Sequence, residues 1–244
     1  MSNKQQYKQF TVNSSSDYIV YLRQLIIQVH KLMKTYNKYV ENLSNVIDDL
    51  NLRENEKQSI DIEIYDDNNA KIQYVGSKLL NLFGDLATGA LSYYKFRKTL
   101  IKRNNLVKSQ LGTLPEEVLS ILKNFNELRN WGLHEPESLL NAHLENIGKL
   151  WSPEDVQKYL SNFNPISVPY FKQIEGKWLI SLYEESAKLS EGHEILYNSM
   201  LSDYSKLIEQ EPVVKENHIA LRPFESEIML PITSFKMQKG KYKN

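Results

Sequence analysis

A stripe of apolar residues near the amino end constrains this chain most. Ile19, Leu22, Ile26, Val29, Met33, Tyr36, Val40, Leu43, Ile47 and Leu50 follow one another at alternating steps of three and four. Such a seam keeps one face of a helix apolar over many turns. Ser14, Ser15, Ser16 and Asp17 stand before it as N-cap candidates. The spacing predicts one helix of about 35 residues, about 50 Å long at the usual rise per residue. Neighbouring segments carry matching stripes, so this helix is expected to pack on its own chain and not as a stand-alone coiled coil.

Ile72, Val75, Leu79, Leu82 and Leu86 repeat the three-and-four pattern. They predict a second helix from about Ala70, running through Gly84 and Gly89 to about Val107. Residues 53–69 read as an irregular excursion, although Ile60, Ile62 and Ile64 alternate as a strand would, with KIQYV (71–75) as the segment it would pair with. Thr113-Leu-Pro-Glu116 is a capping box with proline in the first turn, so a third helix starts there and buries Val118, Leu122, Phe125 and Leu128. It ends near Gly132. A fourth helix begins at Glu135-Pro136-Glu137, with Leu140, Leu144 and Ile147 on one face. Ser152-Pro-Glu-Asp155 opens a short helix to about Asn162, and NPISVP breaks the chain. Residues 169–210 read as one helix or two, with Gly192 the point of interruption. The tail after Pro212 carries an extended-looking EIMLPITSF and a basic end with Lys236, Lys239, Lys241 and Lys243. The expected architecture is all-α, an up-and-down helical bundle with long first and second helices. It is read as a single domain over 1–244, with 1–13 and 213–244 as arms or tails.

Lys and Arg together number 30, as do Asp and Glu, so any nucleic-acid affinity has to come from a local patch. The chain has no cysteine, which excludes disulfides, Cys-ligated metal and a Cys nucleophile. No apolar run approaches the length of a membrane span and none resembles a signal peptide, so a cytoplasmic location is expected.

The stretch LRNWGLHEP (128–136) carries the strongest chemical signal. Arg129 and His134, five apart, would stand about 140° apart on a straight helix. Gly132 is a natural helix terminator, and Pro136 disfavours helix at Glu135 before fitting the first turn of the next helix. A turn between them would let His134 fold back beside Arg129, near a helix amino end that favours anions. A guanidinium, an amide from Asn130 and an imidazole converging at a helix junction suit phosphate chemistry.

Arg129-Asn130-Trp-Gly-Leu-His134 resembles the R-x4–6-H motif of HEPN domains (higher eukaryote and prokaryote nucleotide-binding), with a polar residue directly after the arginine. These are helical bundles that include bacterial toxin and antiphage ribonucleases. The resemblance covers six residues and the helical setting; Pro136 stands where one subgroup carries a tyrosine. It implies an endoribonuclease needing no metal or cofactor, with Arg129 and His134 as active residues and Asn130 as their positioner. It implies RNA as substrate, a homodimer with two motifs facing each other, and an inhibitory or activating protein partner. The 2′-hydroxyl would attack the phosphate and leave a 2′,3′-cyclic phosphate. Arg23 and His30 also fit the spacing, but lie one heptad apart inside the first helix.

A basic run supplies a candidate RNA track: Lys95, Arg97, Lys98, Lys102, Arg103 and Lys108, with Tyr93, Tyr94 and Phe96 for base stacking. The plain alternative is a solvated helix face. His143, with Glu135 and Glu145, matches no zinc template. His193 and His218 stand without companions. Two other readings compete with the enzyme: a non-catalytic binding or regulatory helical module, and an oligomer built on the long heptad helix.

Overall fold

The computed structural model describes residues 10–132, 137–161, 164–166, 170–229, 237 and 240. The protein is an all-α bundle, as the periodicity predicts. Helix α1 spans Ser15–Asp49. The carboxylate of Asp17 accepts from the backbone N–H of Asn13 at 2.9 Å and of Ser14 at 2.8 Å. These bonds, with one from the Ser14 hydroxyl, hold its pKa below the usual carboxylate range. Tyr18, Tyr21 and Leu25 join the expected stripe in the core, so α1 is covered on a broader arc than a two-helix seam requires.

Strand β1 (Ser59–Asp61) and helix α2 (Ile62–Gly84) follow. The strand signal at Ile60 is real, but the partner is not KIQYV. Strand β1 pairs antiparallel with β2 (Gln173–Glu175), Ile60 opposite Ile174. The Asp61 carboxylate accepts from the Glu63 N–H at 3.0 Å and caps α2, so the helix begins eight residues earlier than the expected Ala70.

Helix α2 also stops far short of Val107. At Gly84 the backbone of the helix that holds Asn126 comes so close that a Cβ would lie 2.8 Å from the Asn126 nitrogen. Asp85 then turns extended, its side chain accepting from the Ala87 N–H at 2.8 Å. After this loop the chain re-enters helix irregularly: one α turn, α3 (Tyr93–Lys95), a π turn over Phe96–Leu100, a 3₁₀ turn over Ile101–Arg103, then α4 (Asn105–Leu111). Tyr21 anchors the loop by accepting the Ser92 N–H at 2.9 Å, and burial pushes its phenol up to about 12.

Helix α5 is Glu116–Gly132, α6 is Glu137–Leu150 and α7 is Pro153–Ser161. Ser152 accepts the Asp155 N–H at 3.2 Å, the expected cap of α7. Helix α8 runs unbroken over Lys177–Ile208. Gly192 does not interrupt it; a Cβ there would lie 3.0 Å from the Phe125 ring, so the glycine makes room for α5. Helix α9 (Pro223–Met229) takes in the start of the segment expected to be extended; the rest of that segment lies outside the described residues.

Helices α1 and α8 run antiparallel along each other. Ser190 donates to Asn37 at 2.6 Å, the Tyr36 hydroxyl donates to the Ser186 carbonyl at 3.3 Å, and His30 Nδ1 meets the Tyr197 hydroxyl at 3.0 Å. Helix α2 packs on both, and α5 closes over α2 and α8. All four meet at His193. Its ring lies parallel to Phe83 at 5.7 Å and edge-on to Tyr36 at 4.9 Å and Phe125 at 5.3 Å. Neither ring nitrogen has a hydrogen-bond partner among the described residues. Burial pushes the imidazole from its ordinary 6.5 down to about 3, so it is neutral in the fold.

An unfolded chain takes up this proton below about pH 6.5, while the fold refuses it until about pH 3. Stability is therefore fully present above pH 6.5 and falls as pH drops through that window, by up to about 1.4 kcal/mol per pH unit from this residue. His193→Leu should remove that share of the slope. Urea denaturation at pH 7.5, 6 and 5 on both proteins measures it.

Candidate functional site

The buried face of α5 is set by Val118, Leu122 and Phe125. The next position on that face is Arg129, four residues on, whereas Leu128 is exposed. Arg129 thus points where the core would continue, but the bundle ends there and its neighbours are polar. Nε donates to Asn81 Oδ1 at 3.0 Å, and Nη2 donates to Asp85 Oδ2 at 3.0 Å. Nη1 donates to the Asn130 side-chain oxygen at 3.1 Å. The Arg129 side chain is 22% exposed and that of Asp85 13%. A guanidinium has five N–H donors. Three are engaged, which leaves two without a partner among the described residues.

The structure hydrogen-bonds Arg129 to Asn130 and adds Asn81 and Asp85, which sequence reasoning missed. His134 and Pro136 lie outside the described residues. The second match to the motif spacing is occupied elsewhere. Arg23 is exposed, and His30 Nε2 pairs with Glu216 Oε1 at 3.0 Å. Lys34 binds the other Glu216 oxygen at 2.5 Å, and the two contacts lower the Glu216 pKa.

The basic run divides into two groups. Lys95 donates to the carbonyls of Thr88 and Ala90 and clamps the loop before α3. Burial, then the Arg103 charge, lowers its pKa. Arg97 is buried, with Nε 3.5 Å from Asp203 Oδ2 and Nη2 donating to the Gly112 carbonyl at 3.1 Å. The Asp203 carboxylate also accepts from the Tyr93 hydroxyl at 2.8 Å. Burial raises the Asp203 pKa against the opposing pull of Arg97 and Tyr93. Lys98, Lys102 and Arg103 are exposed. Tyr93, Tyr94 and Phe96 are core residues; the stacking role expected of them is not open to them.

The exposed lysines border a cleft of about 820 Å³ between the 94–114 wall and the start of α5. Lys108 and Lys123 complete its basic rim, and Ile101, Leu114 and Leu119 form its apolar side. Among the described residues no group of three or more His, Asp or Glu could hold a metal ion, and no helix is long and apolar enough to cross a membrane.

No protein-family model, curated protein or solved structure matches this chain.

Removing the guanidinium leaves Asp85 half-buried beside empty space. Arg129→Ala should lower stability by about 2 kcal/mol, the range for hydrogen bonds to charged groups. Arg129→Lys should lower it by less. Chemical denaturation of the two variants checks both.

Proposed function

We propose that the protein is a HEPN-type endoribonuclease of the toxin or antiphage kind, acting on RNA in the cytoplasm without a metal. The observation that supports this reading most is the state of Arg129. Its guanidinium is fixed at the end of α5 by Asn81, Asp85 and Asn130, and two of its five donors have no partner among the described residues. Preorganised donors of this kind stabilise charge that develops on a phosphate, because they need not reorient during the reaction. His134 takes the proton from the ribose 2′-hydroxyl as the new bond to phosphorus forms. The bond to the 5′-oxygen then breaks, and that oxygen is protonated by the same histidine or by its counterpart in a second copy. The products are a 2′,3′-cyclic phosphate and a 5′-hydroxyl.

Of the basic run, Lys98, Lys102, Arg103 and Lys108 are exposed, and in this reading the first three meet RNA phosphates. A homodimer is supported by the apolar face of α6, where Leu139 is 48% and Leu140 61% exposed. A protein partner that holds the enzyme silent or activates it fits the same reading.

A second reading rests on the Asp85 contact. An arginine paired to a neighbouring helix end is also a strut, and a strut alone would suit a non-catalytic binding or regulatory module.

The two readings part in one assay. Purified wild type, incubated with total RNA in excess chelator, should cleave it. His134→Ala should lose at least about 100-fold in rate, the usual share of a general acid or base. Its melting temperature should match that of the wild type. A His134→Ala protein that cleaves at the wild-type rate contradicts the proposal.

A further inference from the structure

The cleft beside α3 and α4 has a composition that the ribonuclease reading does not require. Among the described residues its lining carries five cationic side chains, Arg97, Lys98, Lys102, Lys108 and Lys123, and no carboxylate. Its volume, about 820 Å³, falls within the range of small-molecule sites. A surface track for RNA phosphates needs the charges but not an apolar wall. Here Ile101, Leu114 and Leu119 provide one.

Two further observations mark this as a built site. The Arg97 side chain is 3% exposed, and its buried Nη1 has no hydrogen-bond partner among the described residues. Buried donors are seldom left unpaired, and each one unpaired costs stability. Asp203 answers the charge of Arg97 from one side only. The wall that carries Arg97 is also the irregular part of the fold, a π turn followed by a 3₁₀ turn. Such turns cost helix regularity and are frequent at functional sites.

The geometry points to a binding site for a small amphipathic anion: a phosphate monoester whose organic part is apolar. The phosphate meets the lysine rim, and the apolar part lies against Ile101, Leu114 and Leu119. This inference does not rest on the ribonuclease reading.

Displacement of a fluorescent probe, 1-anilinonaphthalene-8-sulfonate, from the full-length protein tests it. Octyl phosphate should displace the probe at a concentration at least tenfold below that needed for octanol or for inorganic phosphate. The double variant Lys98→Glu/Lys102→Glu changes two exposed residues and should weaken octyl phosphate at least tenfold. Ser109→Trp, which fills the cleft without changing charge, should weaken it similarly. Unchanged circular dichroism and melting temperature confirm that each variant is folded. The inference is overturned if inorganic phosphate competes as well as octyl phosphate. It is also overturned if either variant binds octyl phosphate like the wild type, or if a short RNA displaces the probe and octyl phosphate does not. Cleavage of RNA by the octyl phosphate-binding protein, or its absence, bears only on the ribonuclease reading.

Discussion

Helices α1, α2, α5 and α8 are held together at one contact point, the ring cluster around His193. One aromatic residue from each of α1, α2 and α5 packs on that imidazole. The cluster exists because two glycines let α5 approach: Gly84 on α2 and Gly192 on α8. A side chain at either position would push Phe125 or its backbone away. Since α5 is held there, its next inward position, Arg129, is delivered to the end of α2 where Asn81 and Asp85 wait. The location of the candidate site is thus a consequence of core packing and not of the loop that follows it.

The same logic places the cleft. Leu179, Leu182, Ser186, His193, Leu196, Met200, Asp203 and Leu207 are the buried residues of α8. A carboxylate in that stripe has to find partners inside the protein. Asp203 finds Arg97 and Tyr93, and this draws the 93–97 segment onto the end of α8. What remains outward on the 98–108 side is lysine over apolar surface. Burying one arginine of the basic run and leaving its neighbours exposed turns a linear charge pattern into a pocket wall.

Much of the fold was legible in the sequence because long amphipathic helices carry strong periodic signals. The limits of α1, the starts of α5 and α7 and the end of α5 follow from spacing and caps. The failures share a cause. The early start of α2 depends on Asp61, a cap hidden in a run of acidic residues that looked irregular. Its early stop depends on the approach of another helix to Gly84, and the partner of Ile60 lies more than 100 residues away; such long-range contacts leave little local trace. At the candidate site the sequence pointed to Arg129 and Asn130 but not to the Arg129 partners Asn81 and Asp85. A signal was nonetheless present: polar residues at core spacing, Arg129 after Phe125 and Asp203 after Met200, demand buried partners. The basic run read as one track because charge alone does not say which side chains turn inward.

The central claim is that Arg129 and Asn130 belong to a centre that cleaves RNA by internal attack of the 2′-hydroxyl. The end groups of the fragments test it most directly. Wild-type protein acting on a defined RNA in the presence of chelator should yield fragments whose mass spectra show 2′,3′-cyclic phosphates and 5′-hydroxyls. Fragments with 3′-hydroxyl ends, or intact RNA at high protein concentration, would contradict the account.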